Sequence, residues 1–331
     1  MNVFTIAGAD VAPASRAELE LRPAQLPSGG FLSMPLVVLH GSEPGPVLWL
    51  TAALHGDEVA GVDIIRRVLG ATDPASLRGT VLACPVVNVP GFASGDRYFP
   101  DRRDLNRSFP GSPRGSLTSR FAHVLLSEVI ARGDVGIDLH TGSDHRNNLP
   151  QVRADLDDPA TRRLATVFGA PVAMHARTRD GSLREAAVRR GVTTLLFEGG
   201  QPWRFDEHPI EVGARGIRSV MSHLGMVESV PISTPPAPIR FLRKSRWVRA
   251  PRSGVARVIT GLGDTVEARE PVAVVADAYG STEQIVRAPS RSLVIGRLEH
   301  PVVHRGDALV HLAALDDSPT PLDPTDVSTE S

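Results

Sequence analysis

An α/β domain followed by a smaller all-β domain is the fold that this sequence predicts. The chain has 331 residues, which exceeds the usual size of a single domain. Its first two-thirds alternates apolar, β-prone runs with segments of helical periodicity, and its last third has short β-prone runs broken by glycine. We therefore expect an α/β domain over 1–235, a β-rich, barrel-sandwich-like domain over 236–315 and a disordered tail over 316–331.

The elements of the first domain follow from its apolar pattern. Its predicted strands are PVLWLTAAL (46–54), GTVLACPVVNV (79–89), VGIDL (135–139) and VTTLLF (192–197). Helices are predicted over 58–69 and 116–131, where apolar residues recur at helical spacing. Two shorter helices are predicted from their first residues, with Asp158 as an N-cap and Ser182 forming a capping box with Glu185. This alternation predicts a sheet covered by helices.

The second domain is predicted after a proline-rich connection, VPISTPPAPIR (230–240). Its two halves each carry a Gly-Asp pair before a short apolar strand, a pattern that resembles lipoyl- and biotinyl-type barrel-sandwich domains. A carrier domain of that kind needs a lysine to modify, but Lys244 is the only lysine in the chain. A structural or pocket-lining role is therefore favoured. For Tyr279, a core position is favoured over a position that reaches a functional site of the first domain.

Composition argues against several kinds of partner. The formal net charge of -1 indicates no polyanion-binding surface, so no nucleic-acid partner is expected. No apolar run reaches the length of a membrane span, which is about 18 residues, and no secretory leader is recognisable. We expect a cytoplasmic protein without a membrane partner. The single cysteine, Cys84, cannot form an intrachain disulfide and is predicted to be a small core residue.

Three candidate metal ligands follow two of the predicted strands. His55 and Glu58 come after the strand over 46–54, and His140 directly follows the strand over 135–139. Ligands collect at the carboxyl ends of strands in α/β sheets, and two imidazoles with one carboxylate are a known catalytic zinc set. Taken singly, each residue could also be structural, as a turn residue, a helix N-terminus or a hydrogen-bonded histidine. The joint pattern favours a metal site, with Asp138 as a candidate partner of an imidazole.

Two further segments carry candidate site residues. Glu198 follows the last predicted strand and precedes two glycines, which leave room for a substrate near its carboxylate, although it could be a surface residue at a turn. The segment over 95–111 contains Arg97, Asn106 and Arg107. It could be a solvated, arginine-rich loop, but arginine also suits the binding of a substrate carboxylate.

Four motifs in chain order give the sequence a family resemblance. They are HGDE (55–58), DRYFPDRRDLNRSFPG (96–111), DLHTGS (138–143) and FEGG (197–200). Together they resemble the succinylglutamate desuccinylase/aspartoacylase group of carboxypeptidase-like zinc hydrolases, over roughly residues 35 to 315. The resemblance implies a mixed sheet flanked by helices and one zinc ion per chain, held by His55, Glu58 and His140.

The same resemblance implies roles for four other residues. Glu198 would be the general base on the zinc-bound water, and Arg97 would polarise the scissile carbonyl. Asn106 and Arg107 would hold the carboxylate of a small anionic substrate. Relative to aspartoacylase, two extra residues separate Arg97 from the DLNR motif.

The reaction expected from these residue types is hydrolysis of the amide bond of an N-acyl amino acid or a related small carboxylate. A metallocarboxypeptidase acting on short peptides would use the same zinc centre and is the main alternative. Two further alternatives are a binding protein that has lost catalysis and a barrel-sandwich carrier. The presence of every ligand and of the base favours the enzyme.

Overall fold

A computed structural model describes residues 2–228 and 238–315 of the chain. The chain divides into two units between Arg240 and Phe241. Most of the predicted connection over 230–240, the predicted domain boundary after residue 235 and the predicted tail over 316–331 lie outside the described residues.

The first unit contains ten strands and six helices among its described residues. The strands are β1 (Phe4–Ile6), β2 (Ala9–Val11), β3 (Ser15–Gln25), β4 (Phe31–His40), β5 (Glu43–Ala52), β6 (Arg78–Cys84), β7 (Val135–His140), β8 (Arg146–Ala154), β9 (Val172–His175) and β10 (Thr193–Gly200). The helices are α1 (Ala60–Gly70), α2 (Val89–Ser94), α3 (Leu117–Glu128), α4 (Pro159–Phe168), α5 (Leu183–Val188) and α6 (Glu207–His223), with 3₁₀ turns at Leu105–Arg107 and Ile130–Arg132. A short strand, β11 (Arg240–Leu242), lies where the two units divide.

A mixed sheet forms the centre of the first unit. Its strand order is β9-β8-β10-β7-β5-β6-β4-β3. The four central strands, β10, β7, β5 and β6, run parallel, and antiparallel pairs flank them on both sides. The predicted α/β sheet with helices is therefore confirmed. The parallel centre matters for function, because β5, β7 and β10 all end at the same edge of the sheet.

Helices cover both faces of this sheet. Side chains alternate between the faces of a strand, so Trp49 and Ala52 of β5 point in opposite directions. Trp49 belongs to a buried cluster with Phe121 of α3, whereas Ala52 lies against Gly61 of α1. On the Trp49 face, Gly136 of β7 leaves room for the indole, since an added Cβ would lie 1.8 Å from its ring. The central strands are thus buried on both sides.

Two local sequence signals are confirmed in the structure, and one predicted strand is shorter than expected. The Ser182 hydroxyl accepts a hydrogen bond from the Glu185 amide at 3.2 Å, as expected for an N-cap. The capping box is not closed, however, because the Glu185 carboxylate accepts from the Gly181 amide at 2.7 Å and the Ser182 amide donates to the Arg179 carbonyl. The Asp158 carboxylate accepts one from the Thr161 amide at 2.8 Å. The strand predicted over 79–89 ends at Cys84, because the next residue is a proline and cannot donate to the sheet.

A close contact between α1 and the sheet gives a testable prediction about stability. A Cβ added at Gly61 would lie 2.7 Å from the Cβ of Ala52 and 2.8 Å from that of Leu139. We expect Gly61→Ala to lower the free energy of unfolding by about 1–3 kcal/mol, since overpacking forces the helix away from the strands. Chemical denaturation of Gly61→Ala and the control Gly70→Ala checks this. Gly70 ends the same helix and has open space around it. Equal stability of the two variants would contradict the prediction.

The second unit has only strands among its described residues. They are β12 (Ser245–Arg249), β13 (Gly254–Val258), β14 (Thr265–Val266), β15 (Pro271–Ala276), β16 (Glu283–Arg287), β17 (Ser292–Leu298), β18 (Val302–Val303) and β19 (Ala308–Ala314). They form two antiparallel sheets, β12-β19-β17-β14 and β16-β15-β13-β18. Residues of both sheets, including Val272, Val294 and Leu309, share one apolar core. The described part of this unit is therefore all-β.

The expected core position of Tyr279 is wrong. Its side chain is 92% exposed. The reason is a tight turn after β15, in which the Asp277 carboxylate accepts hydrogen bonds from the Tyr279 and Ser281 amides at 3.0 and 2.9 Å. Gly280 supplies the left-handed conformation that the turn needs, with φ of +71°. The ring therefore projects from the turn into solvent.

None of the helices in the described residues is both long enough and apolar enough to cross a membrane.

Candidate active site

Three buried side chains converge at the carboxyl ends of β5 and β7. One potential ligand atom from each of His55, Glu58 and His140 lies within 4.8 Å of the other two. His55 Nδ1 lies 2.8 Å from Glu58 Oε1, and His140 Nδ1 lies 2.7 Å from Glu58 Oε2. Parallel pairing of the two strands, with Ala52 opposite Leu139, brings the histidines together. The structure thus assembles the three residues that the sequence marks as candidate metal ligands.

A carboxylate lies behind each of the two imidazoles. Asp138 Oδ2 is 2.8 Å from His140 Nε2, and its other oxygen accepts a hydrogen bond from the Thr51 hydroxyl at 2.7 Å. Asp104 Oδ1 is 3.2 Å from His55 Nε2. Such partners fix the orientation of an imidazole and leave its other nitrogen free to bind a metal. The expected contact of Asp138 is present, whereas no role for Asp104 was predicted from the sequence.

The charges of this cluster shift the pKa values of its members. Burial alone would lower the pKa of His140, but the negative charges of Asp138 and Glu58 outweigh it and raise the pKa well above its usual value. Burial likewise opposes the shift at His55, whose pKa is raised mainly by the charge of Glu58. For Glu58, burial would raise the pKa, but the two imidazoles hold it well below its usual value. The site therefore favours positive charge next to a buried carboxylate.

Arg97 lies against the same cluster. Its Nη1 donates to Glu58 Oε1 at 2.9 Å, and its Nη2 is 3.0 Å from His55 Nε2. The backbone of Arg97 is held next to the HGDE turn, because its carbonyl accepts a hydrogen bond from the Gly56 amide at 3.4 Å. A Cβ at Gly56 would lie 2.1 Å from the carbonyl carbon of Gly91, so only glycine fits there. Arg97 thus reaches the site despite the two extra residues before the DLNR motif.

Asn106 and Arg107 lie on a 3₁₀ turn that carries the DLNR motif. Asn106 is buried, and its Oδ1 accepts a hydrogen bond from the amide of Leu183, the first residue of α5, at 2.9 Å. Its Nδ2 makes no hydrogen bond to another residue in the described part of the chain. Arg107 is exposed, and one of its terminal nitrogens donates to the Asn106 carbonyl. The side-chain amide of Asn106 can therefore hold α5 and still donate to a ligand.

Glu198 lies on the strand next to the histidine cluster. The parallel register of β10 and β7 places it directly opposite His140. Paired residues on neighbouring strands project from the same face of a sheet, with the strands about 4.8 Å apart. Glu198 Oε2 accepts a hydrogen bond from Asn148 Nδ2 at 2.9 Å and lies 3.2 Å from Arg153 Nη2. Neither partner was identified from the sequence, because β8 has no continuous apolar run.

A second group of side chains, Asp155, Asp157 and His175, also brings three potential ligand atoms within 4.8 Å of one another. Both of its carboxylates are exposed, and His175 Nδ1 accepts a hydrogen bond from the Leu156 amide at 3.2 Å. The buried group of His55, Glu58 and His140 is therefore the stronger metal-site candidate.

Comparison with known proteins agrees with this geometry. The chain is 30% identical over 302 residues to the N-alpha-acetyl-L-2,4-diaminobutyric acid deacetylase of Halomonas elongata, covering 87% of this chain and 88% of that protein. A crystal structure of a succinylglutamate desuccinylase/aspartoacylase from Rhodobacter sphaeroides is similar with a TM-score of 0.82 and 28% identity, covering 93% of this chain and 99% of that one. The product-bound ectoine utilization protein EutE of Ruegeria pomeroyi shares the fold, with a TM-score of 0.83 and 23% identity, covering 95% and 99% of the two chains.

The family model of the succinylglutamate desuccinylase/aspartoacylase catalytic domain matches residues 44–224. That range holds all four motifs of the resemblance and more than half of the chain. Because the match coincides with the strand ends that assemble the site, the resemblance is confirmed, and the chain belongs to the succinylglutamate desuccinylase/aspartoacylase family.

Proposed function

We propose that this protein is a zinc-dependent hydrolase that removes the acyl group from an N-acyl amino acid or a related small carboxylate. The observation that carries the proposal is the buried group of His55, Glu58 and His140, with Glu198 on the adjacent strand opposite His140. The relative from Halomonas elongata, which is named as a deacetylase of an acetylated amino acid, supports the reaction class.

The chemistry of the donor set fits zinc. Two imidazole nitrogens, one each from His55 and His140, face the carboxylate of Glu58, and this combination of ligands is typical of catalytic zinc. The carboxylates of Glu58, Asp138 and Asp104 surround the two imidazoles, and a cation bound between the imidazoles would balance their negative charge. Bound by these three residues, zinc would polarise the amide carbonyl and make water a better nucleophile.

The remaining site residues then have separate tasks. Glu198 accepts a proton from the attacking water and delivers it to the departing amine. Arg97, next to Glu58, stabilises the negative charge that develops on the carbonyl oxygen. Asn106 and Arg107 bind the carboxylate of the substrate, for which the Asn106 Nδ2 and the exposed guanidinium of Arg107 supply the donors.

A substrate panel tests the proposal. Protein of measured zinc content is assayed on N-acetyl and N-succinyl amino acids, with N-α-acetyl-L-2,4-diaminobutyric acid among them, and on dipeptides with free carboxyl termini. We expect hydrolysis of at least one N-acyl amino acid with kcat/KM well above that for any dipeptide. A preference for dipeptides would favour the metallocarboxypeptidase instead. Fully zinc-loaded protein that hydrolyses neither class would overturn the proposal.

Removal of Arg107 gives a further prediction. Losing one hydrogen bond to a charged group costs roughly 1.5–3 kcal/mol, so Arg107→Ala should lower kcat/KM by about 10- to 150-fold. The loss should shrink on substrates whose carboxylate is amidated, because the guanidinium has no anion to bind there. Arg103→Ala is the matched control, since Arg103 is an exposed arginine of the same segment. An equal loss on charged and amidated substrates would argue that Arg107 is structural.

A further inference from the structure

We propose that Asn148 and Arg153 are positioning residues that hold the Glu198 carboxylate by one oxygen only. Both donors contact Oε2, at 2.9 Å from Asn148 Nδ2 and 3.2 Å from Arg153 Nη2. Oε1 has no hydrogen-bond partner within residues 2–228 and 238–315. The inference rests on the proposed function, in which Glu198 moves the proton, and assigns that task to Oε1.

The pairing of β8 with β10 explains how both donors reach the same oxygen. Glu198 lies opposite Gln151 in this antiparallel pair, and Arg153, two residues further along β8, projects from the same face. Asn148 would project from the other face in a regular ladder. The register shifts between Glu198 and Gly200, so that Gly200 lies opposite Asn148. This irregularity turns the Asn148 side chain toward Glu198.

The contacts of Glu198 with Asn148 and Arg153 are largely shielded from solvent. Asn148 is 6% exposed, and the side chains of Arg153 and Glu198 are 22% and 19% exposed. An ion pair shielded from water in this way is stronger than a pair on the open surface. The backbone of Arg153 is also held, because the buried Arg184 donates to its carbonyl at 3.1 Å.

The consequence concerns the orientation of the carboxylate plane. The terminal torsion of a glutamate side chain has broad, shallow minima, so a free carboxylate samples many orientations. The hydrogen bond from Asn148 and the ion pair with Arg153, both on Oε2, select one orientation and leave the lone pairs of Oε1 for the proton of the attacking water. Without them Glu198 remains a base, but it is correctly aimed for only part of the time.

Kinetics of variants at Arg153 test this. We expect Arg153→Met to lower kcat by about 10- to 150-fold, because it removes the guanidinium that forms an ion pair with Oε2, with KM changed by no more than about threefold. Arg153→Lys should recover most of the lost kcat, because it keeps the charge and a donor. Arg163→Met, which removes an exposed arginine on α4, is the matched control and should leave both constants unchanged.

The same substitution is then made in Glu198→Gln, which has no base to orient. There Arg153→Met should lower kcat by no more than about twofold, since coupled residues are not additive. An equal loss in both backgrounds, or a raised KM with unchanged kcat, would overturn the proposal and indicate that Arg153 binds substrate. Asn148→Ala, measured in the same two backgrounds, provides the test if Arg153→Met does not fold. A wild-type protein without deacylase activity would instead count against the proposed function.

Discussion

Glu198→Gln is expected to lower kcat by about 10²- to 10⁴-fold, the usual contribution of a general base. Glutamine has nearly the same size as glutamate and keeps a carbonyl oxygen that can accept from Asn148 and Arg153, but it cannot take up a proton. KM should stay the same or fall slightly, because one negative charge near an anionic substrate is removed. Zinc content and steady-state kinetics measured on one preparation check both parts of the prediction.

The outcome separates three roles for Glu198. A variant that retains zinc and has a low kcat would support the role of Glu198 as the general base. A variant without zinc would make Glu198 a metal ligand, and one with full kcat would leave the reaction without its base. Glu211→Gln, an exposed glutamate on α6, serves as the control for removal of a carboxylate charge.

His140→Ala is expected to abolish activity by removing one of the three proposed metal ligands. Loss of a residue that only supports a ligand typically costs about 10- to 100-fold in metal affinity, and loss of the ligand itself should cost more. Asp138→Asn, which changes the partner of His140 Nε2, should fall within that smaller range. Competition with a chelator of known affinity gives the zinc dissociation constants of the wild type and both variants.

A surface histidine provides the control for the His140→Ala prediction. His208→Ala removes an exposed histidine on α6 and should leave the zinc affinity unchanged. Chelation of the wild type should abolish activity, and added zinc should restore it. Near-stoichiometric zinc in a folded His140→Ala protein would contradict the assignment of His140 as a metal ligand.

The core of the site could be predicted because its residues stand next to strong local signals. His55 and His140 follow apolar strands that the sequence marks clearly, and parallel strands end at a common edge. Glu198 ends a third such run. The sequence therefore predicted which strand ends meet, even though 82 residues separate Glu58 from His140.

The supporting residues could not be predicted for two physical reasons. β8 reads RNNLPQVRA, with a proline and several polar residues, so it carries no apolar run, and its register with β10 contains an irregularity that no periodicity reveals. Asp104 reaches His55 through the fold of a loop, which close backbone packing at Gly56 helps to fix. Such contacts depend on tertiary packing and have no local signature.

Strand β3, at the edge of the sheet, was not predicted, and the reason is different. β3 alternates exposed and partly buried residues from Ser15 to Glu20, which is the period of a half-buried strand. This alternation is visible in the sequence, but the charged residues on the exposed face interrupt the apolar residues, so β3 contains no continuous apolar run. β3 and β4 then pair as a long antiparallel hairpin. Alternation is thus the more informative criterion for edge strands of this protein.

The wide spacing of the proposed metal ligands along the chain also links metal supply to folding. His55 and Glu58 are three residues apart, but their contact with His140 closes a loop of 82 residues, so the unfolded chain presents only a fragment of the centre. A metal held by all three binds the folded chain alone and stabilises it by mass action, by about 2.7 kcal/mol at a free concentration 100 times the dissociation constant. Scarcity of the ion would thereby shorten the lifetime of the enzyme in the cell, because unfolded chains are the ones that proteases degrade.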